Sequence, residues 1–540
     1  MSATERLART EVLILGGGLA GLTLALQLRQ RNPTLDIAVL ERREHPVPAA
    51  THKVGESTVE IGAHYFHAVL GLQEHLQQDQ LRKYGFRFFF SDRAPRFDAA
   101  LELGASSYLP TPSFQLDRGI FENFLAKHIE QLGVRFLDGA AVRNVALATN
   151  STIEPHQVRY TRAGEEHTVA ARWVIDASGR AGLLKHQLDL SVSNGHEGHA
   201  AWFRIGAKID VDAWSQDADW LKRCDPPYRW LSTNHLCGEG YWAWLIPLVS
   251  GSHSVGVVWD PKYFPLESMN SFEKLLAWFH EHQPCLAQDL ESKKHLLQDF
   301  CFLRNFSYGC KQVFSGQRWA LTGEAGVFLD PFYSPGSDFI GISNTFIVDL
   351  IERDLRAELL NARAHVYQQL YFSFYENTLS LYKNQYGLFG DPEVLSFKVI
   401  WDYTFYWGVL CQLFFQQRLT DVTNIAYLSQ DFQRAKTLNE AMQAFFRDWS
   451  QHTDKRSEAM MLDQAALPWF VELNRGLRDE LSEDQFRARI KANVRLLETL
   501  AHQIISRASK QFPRLDVSAI AKLLDPAAVG GDSLLFANAA

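Results

Sequence analysis

Residues 11–41 constrain this chain more than any other stretch, because they present in order a strand, a glycine turn, a helix, a second strand and an acid. Glu11 to Leu15 (EVLIL) is a short apolar run, followed by Gly16, Gly18 and Gly21 in G-x-G-x-x-G spacing. Leu19, Leu22, Leu24, Ala25, Leu26 and Leu28 predict a helix that packs on a sheet. Leu35–Leu40 returns as a strand ending at Glu41. The first glycine permits the tight turn, the second lets the backbone approach a pyrophosphate, and the third allows close helix packing. The helix start adds unpaired N–H groups and the positive end of its dipole. Glu41 stands twenty residues beyond Gly21, where a carboxylate can accept hydrogen bonds from ribose hydroxyls. Gly16, Gly18, Leu19, Ala20, Gly21, Glu41 and Arg42 are therefore the expected contacts of a dinucleotide. A glycine turn with no ligand is the competing reading, and the ordered run of five parts argues against it.

At 540 residues the chain is too long for one ordinary domain. Its apolar share of 46% is ample for a core, and 36 Phe, 17 Tyr and 14 Trp suit either a large core or a site enclosing flat ligands. A net charge of −8 gives no electrostatic footprint for nucleic acid. The six cysteines lack any CxxC pair, which argues against structural zinc or a disulfide framework and predicts a reducing cytoplasm. Polar Met1–Thr10 predicts no signal peptide. The most apolar long run, Val399–Phe415, contains Asp402 and is expected as a buried aromatic helix rather than a membrane span.

Along the chain, the small-residue loop 53–58 (KVGEST) leads into a helix with Ile61, Phe66, Val69 and Leu70. A loop after the second strand lies over a bound dinucleotide, so Glu56 and Ser57 are candidate contacts; helix capping by Ser57 or Thr58 is equally consistent. Lys83-Tyr84-Gly85 precedes an aromatic strand, Phe86–Phe90, and Arg118 precedes a helix from about Ile120 to Leu132. Strands are expected at Val134–Phe136 and Val169–Ile175, the latter ending in Asp176, a further candidate contact. Alternating strands at Ala200–Ile209, Gly240–Val249 and Ser252–Trp259 predict a mixed or antiparallel sheet. Trp242 and Trp244, two apart, share one face, which is either a cavity wall or core. Gly323-Glu324-Ala325 and the 328–336 run with Asp330, Tyr333, Pro335 and Gly336 then return to the dinucleotide unit. A helix from about Asp338 to Leu355 follows, and beyond Ala362 the chain reads as helical to its end, with Asp525–Ala540 a loose terminus.

Taken together, the glycine fingerprint, KVGEST (53–58), RKYGFRF (82–88), WAWLIP (242–247), SVGVV (254–258), FSYG (306–309) and FLDPFYSPG (328–336) resemble the flavin-dependent halogenases. They are most similar to the branch acting on phenols, pyrroles and other electron-rich rings, and the resemblance runs over roughly the first 360 residues. It implies an α/β fold: an FAD-binding, Rossmann-like domain of glutathione-reductase type, interleaved with a mixed or antiparallel β-sheet substrate domain, plus a helical C-terminal region. The expected boundaries are 1–187 and 306–360 for the FAD-binding domain, with 60–110 contributing to the substrate cavity, 188–305 for the sheet domain and 361–540 for a helical region over that cavity. It also implies FAD, reduced to FADH2 by a separate flavin reductase, and chloride or bromide as co-substrate. The aromatic substrate is either free or carrier-tethered, in natural-product or pigment biosynthesis. In the family a halide is oxidised at the flavin and the hypohalous acid travels to a lysine beside the substrate; Lys83 matches that lysine. Glu56, Ser57, Arg118, Asp176, Gly323, Glu324, Asp330, Gly336 and Ser337 match flavin contacts, while Trp242, Trp244, Pro247 and Tyr333 line the tunnel or substrate cavity.

Four positions depart from the family pattern: Tyr241, Glu60, Glu324 and Pro335. Pro335 matters most. Backbone N–H groups at this residue and the next hold the halide in the resemblance, and proline has none. Halide binding would then rest on Gly336 and Ser337. An FAD-dependent monooxygenase, oxidase or dehydrogenase of an aromatic substrate without halide use therefore stays open, as does a flavin-carrying scaffold protein. No second glycine fingerprint is visible, which predicts that reduced flavin comes from a separate protein.

Overall fold

The computed structural model describes residues 7–49, 54–456, 458–524 and 533–536. Lys53 of the 53–58 motif, residues 1–6 of the polar start and most of the 525–540 terminus lie outside the described residues. The chain forms two compact units. One comprises Met1–Asp79, Leu116–Gly195 and Ser307–Tyr375; the other comprises Gln80–Gln115, His196–Phe306 and Glu376–Ala540. These lines differ from the expected boundaries at 187, 305 and 360. The segment 376–540 packs in the unit that holds the second sheet and is not a third body.

In the first unit five strands pair in parallel, in the order Arg135–Leu137, Ile37–Leu40, Arg9–Leu15, Glu165–Asp176, Trp319–Leu321. The central strands Arg9–Leu15 and Ile37–Leu40 are largely buried and rich in Val, Ile and Leu, as parallel strands covered on both faces must be. His156–Arg162 extends the sheet by antiparallel pairing with the amino-terminal half of Glu165–Asp176, and Ala141–Ala146 pairs antiparallel with His156–Arg162 in turn. Register aligns Leu15 with both Leu40 and Asp176, and Asp176 with Leu321. Gly16, Glu41, Ala177 and Thr322 therefore leave the sheet at one edge, the carboxyl edge where open parallel sheets take their ligands. Helices Leu19–Arg31, Arg118–Gln131 and Gly336–Leu355 belong to this unit. The latter two start two residues earlier than the apolar periodicity indicates, because polar or glycine residues in a first helical turn leave no periodic signal.

In the second unit an eight-stranded mixed sheet runs Leu297–Leu303, His199–Ile205, His253–Trp259, Tyr241–Pro247, Thr233–Gly238, Phe86–Phe89, Glu102–Gly104, Met461–Asp463. Two of its pairings, Thr233–Gly238 with Phe86–Phe89 and Glu102–Gly104 with Met461–Asp463, are parallel. One face carries a core of Phe203, Leu236, Ala243, Leu245, Val255 and Val257 with Leu275, Phe279 and Leu290 of the helices Phe272–His282 and Pro284–Lys293. Side chains alternate along a strand, so Phe86, Phe88, His235, Trp242 and Trp244 lie on the other face. The C-terminal part is helical, with Pro392–Phe405, Ser429–Trp449 and Glu483–Gln511 its longest pieces, but Met461–Asp463 is a strand. The expectation of helix to the end is corrected there: three residues are too few to show a period, and their pairing partner lies far earlier in the chain. The Val399–Phe415 run is buried, and among the described residues no helix is long and apolar enough to cross a membrane.

Candidate flavin and substrate site

The glycine turn is set by close approach. A Cβ on Gly16 (φ +119°) would stand 2.3 Å from the Ala177 carbonyl oxygen, and one on Gly21 2.0 Å from that of Gly16. Gly17, which the fingerprint spacing leaves unassigned, is equally confined, between Glu41 and Phe136 at 2.8 Å. Its N–H donates to Glu41 Oε2 at 2.6 Å, and Arg43 N–H donates to Oε1 at 2.8 Å. The Glu41 carboxylate is thereby fixed against the turn, with oxygen lone pairs left to accept from ribose hydroxyls. Arg42 beside it is exposed. Gly18 differs from its neighbours: an added Cβ meets nothing within 4 Å.

The second cradle is the segment 322–337. Gly323 (φ +58°) stands where a Cβ would meet the Ala20 methyl at 2.9 Å, which brings this turn onto the first turn of Leu19–Arg31. Asp330 is buried and accepts Phe332 N–H at 3.0 Å, shaping the turn Pro331–Tyr333. Ser334 adopts a left-handed conformation (φ +51°), a strained choice for a residue with a side chain. Pro335 is the N-cap of the helix Gly336–Leu355, so the first N–H groups at this helix end belong to Gly336 and Ser337. A Cβ on Gly336 would meet nothing within 4 Å, and the buried Ser337 Oγ has no hydrogen-bond partner. In this first turn Asp338 accepts Gly62 N–H at 2.8 Å.

Other expected contacts take defined positions. Arg118 donates to the Val54 carbonyl at 2.7 Å and to Glu122 Oε1 at 2.6 Å, clamping the 54–55 loop. Glu56 and Ser57 are buried, and Glu56 carbonyl accepts Leu116 N–H. The helix after them starts at Glu60 with Val59 as N-cap, so Ser57 and Thr58 do not cap it. Asp176 is fully buried, and its carboxylate accepts Ser178 N–H and Oγ–H and Leu184 N–H. That carboxylate is committed to the turn after the strand. Glu324 lies 3.5 Å from Arg180 Nε, whose guanidinium also sits over the Phe328 ring at 4.8 Å.

A buried polar network that no motif announces joins these elements. Asn344 donates to Ala20 carbonyl, Thr23 Oγ1 and Tyr65 Oη, and accepts from Thr322 Oγ1. Tyr65 passes a hydrogen bond on to Gln27, and burial pushes its hydroxyl well above the ordinary tyrosine range. The only sequence signal is an asparagine within an otherwise apolar helix face.

In the second unit Lys83 is 3% exposed, with Nζ 3.4 Å from the centroid of the Phe86 ring. Its backbone N–H donates to Ser113 carbonyl. From Phe86 the rings run on in two directions on the same sheet face. His235 is 5.1 Å from Phe86, 4.7 Å from Phe88 and 5.1 Å from Trp242, which in turn is 5.7 Å from Trp244. Tyr403 is 6.2 Å from Phe86 and 4.7 Å from Trp407. Both sheet tryptophans are oriented by their indole N–H groups, Trp242 to Tyr386 Oη and Trp244 to Ser254 Oγ. Gly256 of the SVGVV motif is required because a Cβ would enter the Trp244 ring at 2.2 Å. Pro247 ends the same buried strand, and Tyr333, half-buried in the first unit, stacks edge-on to Phe332 at 4.7 Å.

Farther along this face the helix containing Trp407 turns irregular. Tyr406–Cys411 is a π turn whose Gly408 carbonyl accepts Asn493 Nδ2–H at 2.9 Å. Gln412 is fully buried and neither of its side-chain polar atoms has a partner; Trp407 Nε1 and Asn474 Nδ2 are likewise buried and unpartnered. Each such orphan costs about 1–3 kcal/mol.

The open spaces over Gly18 and Gly336, the fixed Glu41 carboxylate and the orphaned Ser337 hydroxyl fit a bound dinucleotide: backbone N–H groups at two helix starts for anionic groups, and an acid for a ribose. Fold and site together define an FAD-binding oxidoreductase, and residues 9–230 match the family model described as an FAD binding domain. The chain is 26% identical over 430 residues to the flavin-dependent halogenase chlA of Dictyostelium discoideum, covering 74% of this chain and 70% of that protein. It is 24% identical over 351 residues to a 1H-pyrrole-2-carbonyl-[peptidyl-carrier protein] chlorinase of Pseudomonas fluorescens, covering 60% and 72%. The first three curated relatives are matched over 70%, 66% and 64% of their own lengths. In structure it is similar to halogenase PltM in complex with phloroglucinol and FAD (TM-score 0.65, 15% identity, 95% of this chain and 99% of that one). It is also similar to the flavin-dependent brominase Bmp2 (TM-score 0.55, 20% identity, 70% and 87%). In sequence the chain is similar to flavin-dependent halogenases.

Proposed function

We propose that this protein halogenates an electron-rich aromatic ring, phenolic or pyrrolic, free or tethered to a carrier protein, in natural-product or pigment biosynthesis. Bound as FADH2, the cofactor supplies the electrons that activate oxygen to oxidise chloride or bromide. The observation that carries the reading is Lys83, an ammonium group taken out of water and seated on an aromatic face. Such a group polarises a hypohalous acid by donating N–H to its oxygen, and the ring attacks the halogen while oxygen leaves as water. Gly336 and Ser337 N–H groups hold the halide, and Trp242 and Trp244 wall the cavity. The absence of a second glycine fingerprint in the sequence supports a separate flavin reductase, and six cysteines that form no disulfide support a reducing cytoplasm.

Pro335 favours a second reading, an FAD-dependent monooxygenase or oxidase without halide use, because it removes one donor from the halide position. A charge-assisted hydrogen bond is worth about 1.5–3 kcal/mol, so a halogenase lacking it needs about tenfold more halide or more. Under the halogenase reading Lys83→Ala abolishes halogenation while reoxidation of FADH2 by oxygen continues, and Pro335→Ser lowers the halide concentration for half-maximal rate. Halogen-free oxidised product from both wild type and Pro335→Ser at saturating chloride and bromide establishes the second reading instead.

A further inference from the structure

Two helix starts in the first unit, those of Leu19–Arg31 and Gly336–Leu355, offer N–H groups to a dinucleotide. A ligand that spans both must find them at a fixed separation. Asn344 lies in the third turn of the second helix, about 12 Å along its axis from Gly336 at 1.5 Å per residue. It is fully buried. Nδ2 donates towards the Ala20 carbonyl at 3.2 Å, Thr23 Oγ1 at 3.1 Å and Tyr65 Oη at 3.0 Å, and Oδ1 accepts Thr322 Oγ1–H at 2.7 Å.

These partners come from three other elements. Ala20 and Thr23 lie in the first two turns of Leu19–Arg31, Tyr65 opens the π turn Tyr65–Val69, and Thr322 directly follows the strand Trp319–Leu321. Neighbouring bonds set the direction of the contacts. Thr23 Oγ1–H donates to the Leu19 carbonyl at 2.6 Å and Tyr65 Oη–H to Gln27 Oε1 at 2.9 Å, so both oxygens face Asn344 as acceptors. Position 344 therefore needs donors on one side and an acceptor on the other, which an amide supplies and a carboxylate or apolar side chain does not. Apolar groups of the same shape would be about as stable. What a fully satisfied polar network adds is a single packing arrangement where apolar surfaces allow several. The Tyr65 segment is tied to the same helix a second time, by Gly62 N–H to Asp338 Oδ1 at 2.8 Å.

We propose that Asn344 is a positioning residue for the cofactor: it locks the start of Gly336–Leu355 against the start of Leu19–Arg31 at the separation that FAD spans. Its side chain has no surface left to touch FAD itself. This rests on FAD as the cofactor and holds for either reaction above, with halide or without it. A ligand held at both helix starts gains affinity from their register, as a ligand of two linked modules does. ADP carries the adenosine ribose and the pyrophosphate but no flavin ring, so it engages the glycine turn alone and gains nothing from that register.

The test is equilibrium binding of FAD and of ADP to the full-length chain freed of flavin, for wild type, Asn344→Leu and Thr322→Val, with circular dichroism and thermal melting of each. Asn344→Leu keeps the volume and loses all four hydrogen bonds. Its dissociation constant for FAD should rise about tenfold or more, while that for ADP stays within about twofold of wild type. Thr322→Val keeps the shape and loses the hydroxyl that meets Oδ1; it should weaken FAD alone in the same way, and it decides the matter if Asn344→Leu does not fold. A general loosening of the unit would weaken both ligands by the same factor, and that result overturns the proposal, as does FAD affinity unchanged in the folded variant. A wild type that binds FAD no more tightly than ADP overturns instead the placing of FAD across both helix starts, and the proposal with it.

Discussion

The sheet and turns of the first unit and the C-terminal helices of the second treat buried polar groups differently. In the first, they close on one another: Glu41 takes Gly17 N–H, Asp176 takes Ser178 and Leu184, and Asn344 joins Ala20, Thr23, Tyr65 and Thr322. In the helical part of the second, Gln412, Trp407 and Asn474 are left with unspent hydrogen bonds. A site for a constant ligand can be preformed by its own framework and leave few groups open, here backbone N–H groups at two helix starts and the Ser337 hydroxyl. The C-terminal helices carry their orphaned groups at a cost in stability.

The sharpest way to break this comparison is to separate framework from cradle within one turn. Gly21→Val puts a side chain into the Gly16 carbonyl and prevents folding, whereas Gly18→Val extends into open space. The Gly18 variant should fold with an unchanged circular dichroism spectrum and contain no FAD. A yellow Gly18→Val protein with wild-type flavin affinity would mean that the pyrophosphate lies elsewhere.

A smaller effect tests whether the second unit has a closed network of its own. Glu102, fully buried, accepts from both Arg87 and Arg229, and Arg229 also reaches Asp212 at 3.0 Å. Glu102→Gln leaves two buried guanidinium groups with one carboxylate and should cost about 3–5 kcal/mol, by the usual penalty for breaking a buried pair. Denaturant melts would register this as a lower midpoint at unchanged slope. A midpoint equal to wild type would show that the cluster is hydrated.

The smallest effect is acid sensitivity from His253. Burial lowers its pKa to about 3, and Nδ1 accepts Ile209 N–H. The unfolded ring takes a proton below pH about 6.5 while the folded ring does not, so stability is complete above that value and lost as pH falls. By pH 5 the loss is about 2 kcal/mol, at about 1.4 kcal/mol per pH unit. The difference in melting temperature between pH 7 and pH 5 should shrink in His253→Asn; an equal difference would assign the acid response to other groups.

The first unit was largely legible because its signals are local. Strand, glycine spacing, helix and terminal acid all lie between Arg9 and Glu41, and steric demands on Gly16 and Gly21 act on neighbours within the same turn. The second unit was legible in its strands but not in their assignment. The two tryptophans at 242 and 244 could be core or wall by alternation alone, and the packing of helices Phe272–His282 and Pro284–Lys293 on the opposite face puts them on the face that carries Phe86 and His235. Strand Met461–Asp463 was invisible for the same reason, since its partner is remote in sequence.

By itself the sequence determined the dinucleotide turn and the cofactor class, and its family resemblance singled out Lys83 and Pro335, the residues on which the proposed chemistry rests. Tertiary structure alone decided that Lys83 is buried on Phe86, that Asn344 ties the flavin unit together, and that Gln412 is left unpaired beside a π turn. The physical reason is one of range. Backbone conformation and helix capping are fixed by residues a few positions apart, whereas whether a polar side chain finds a partner depends on which distant segments pack around it.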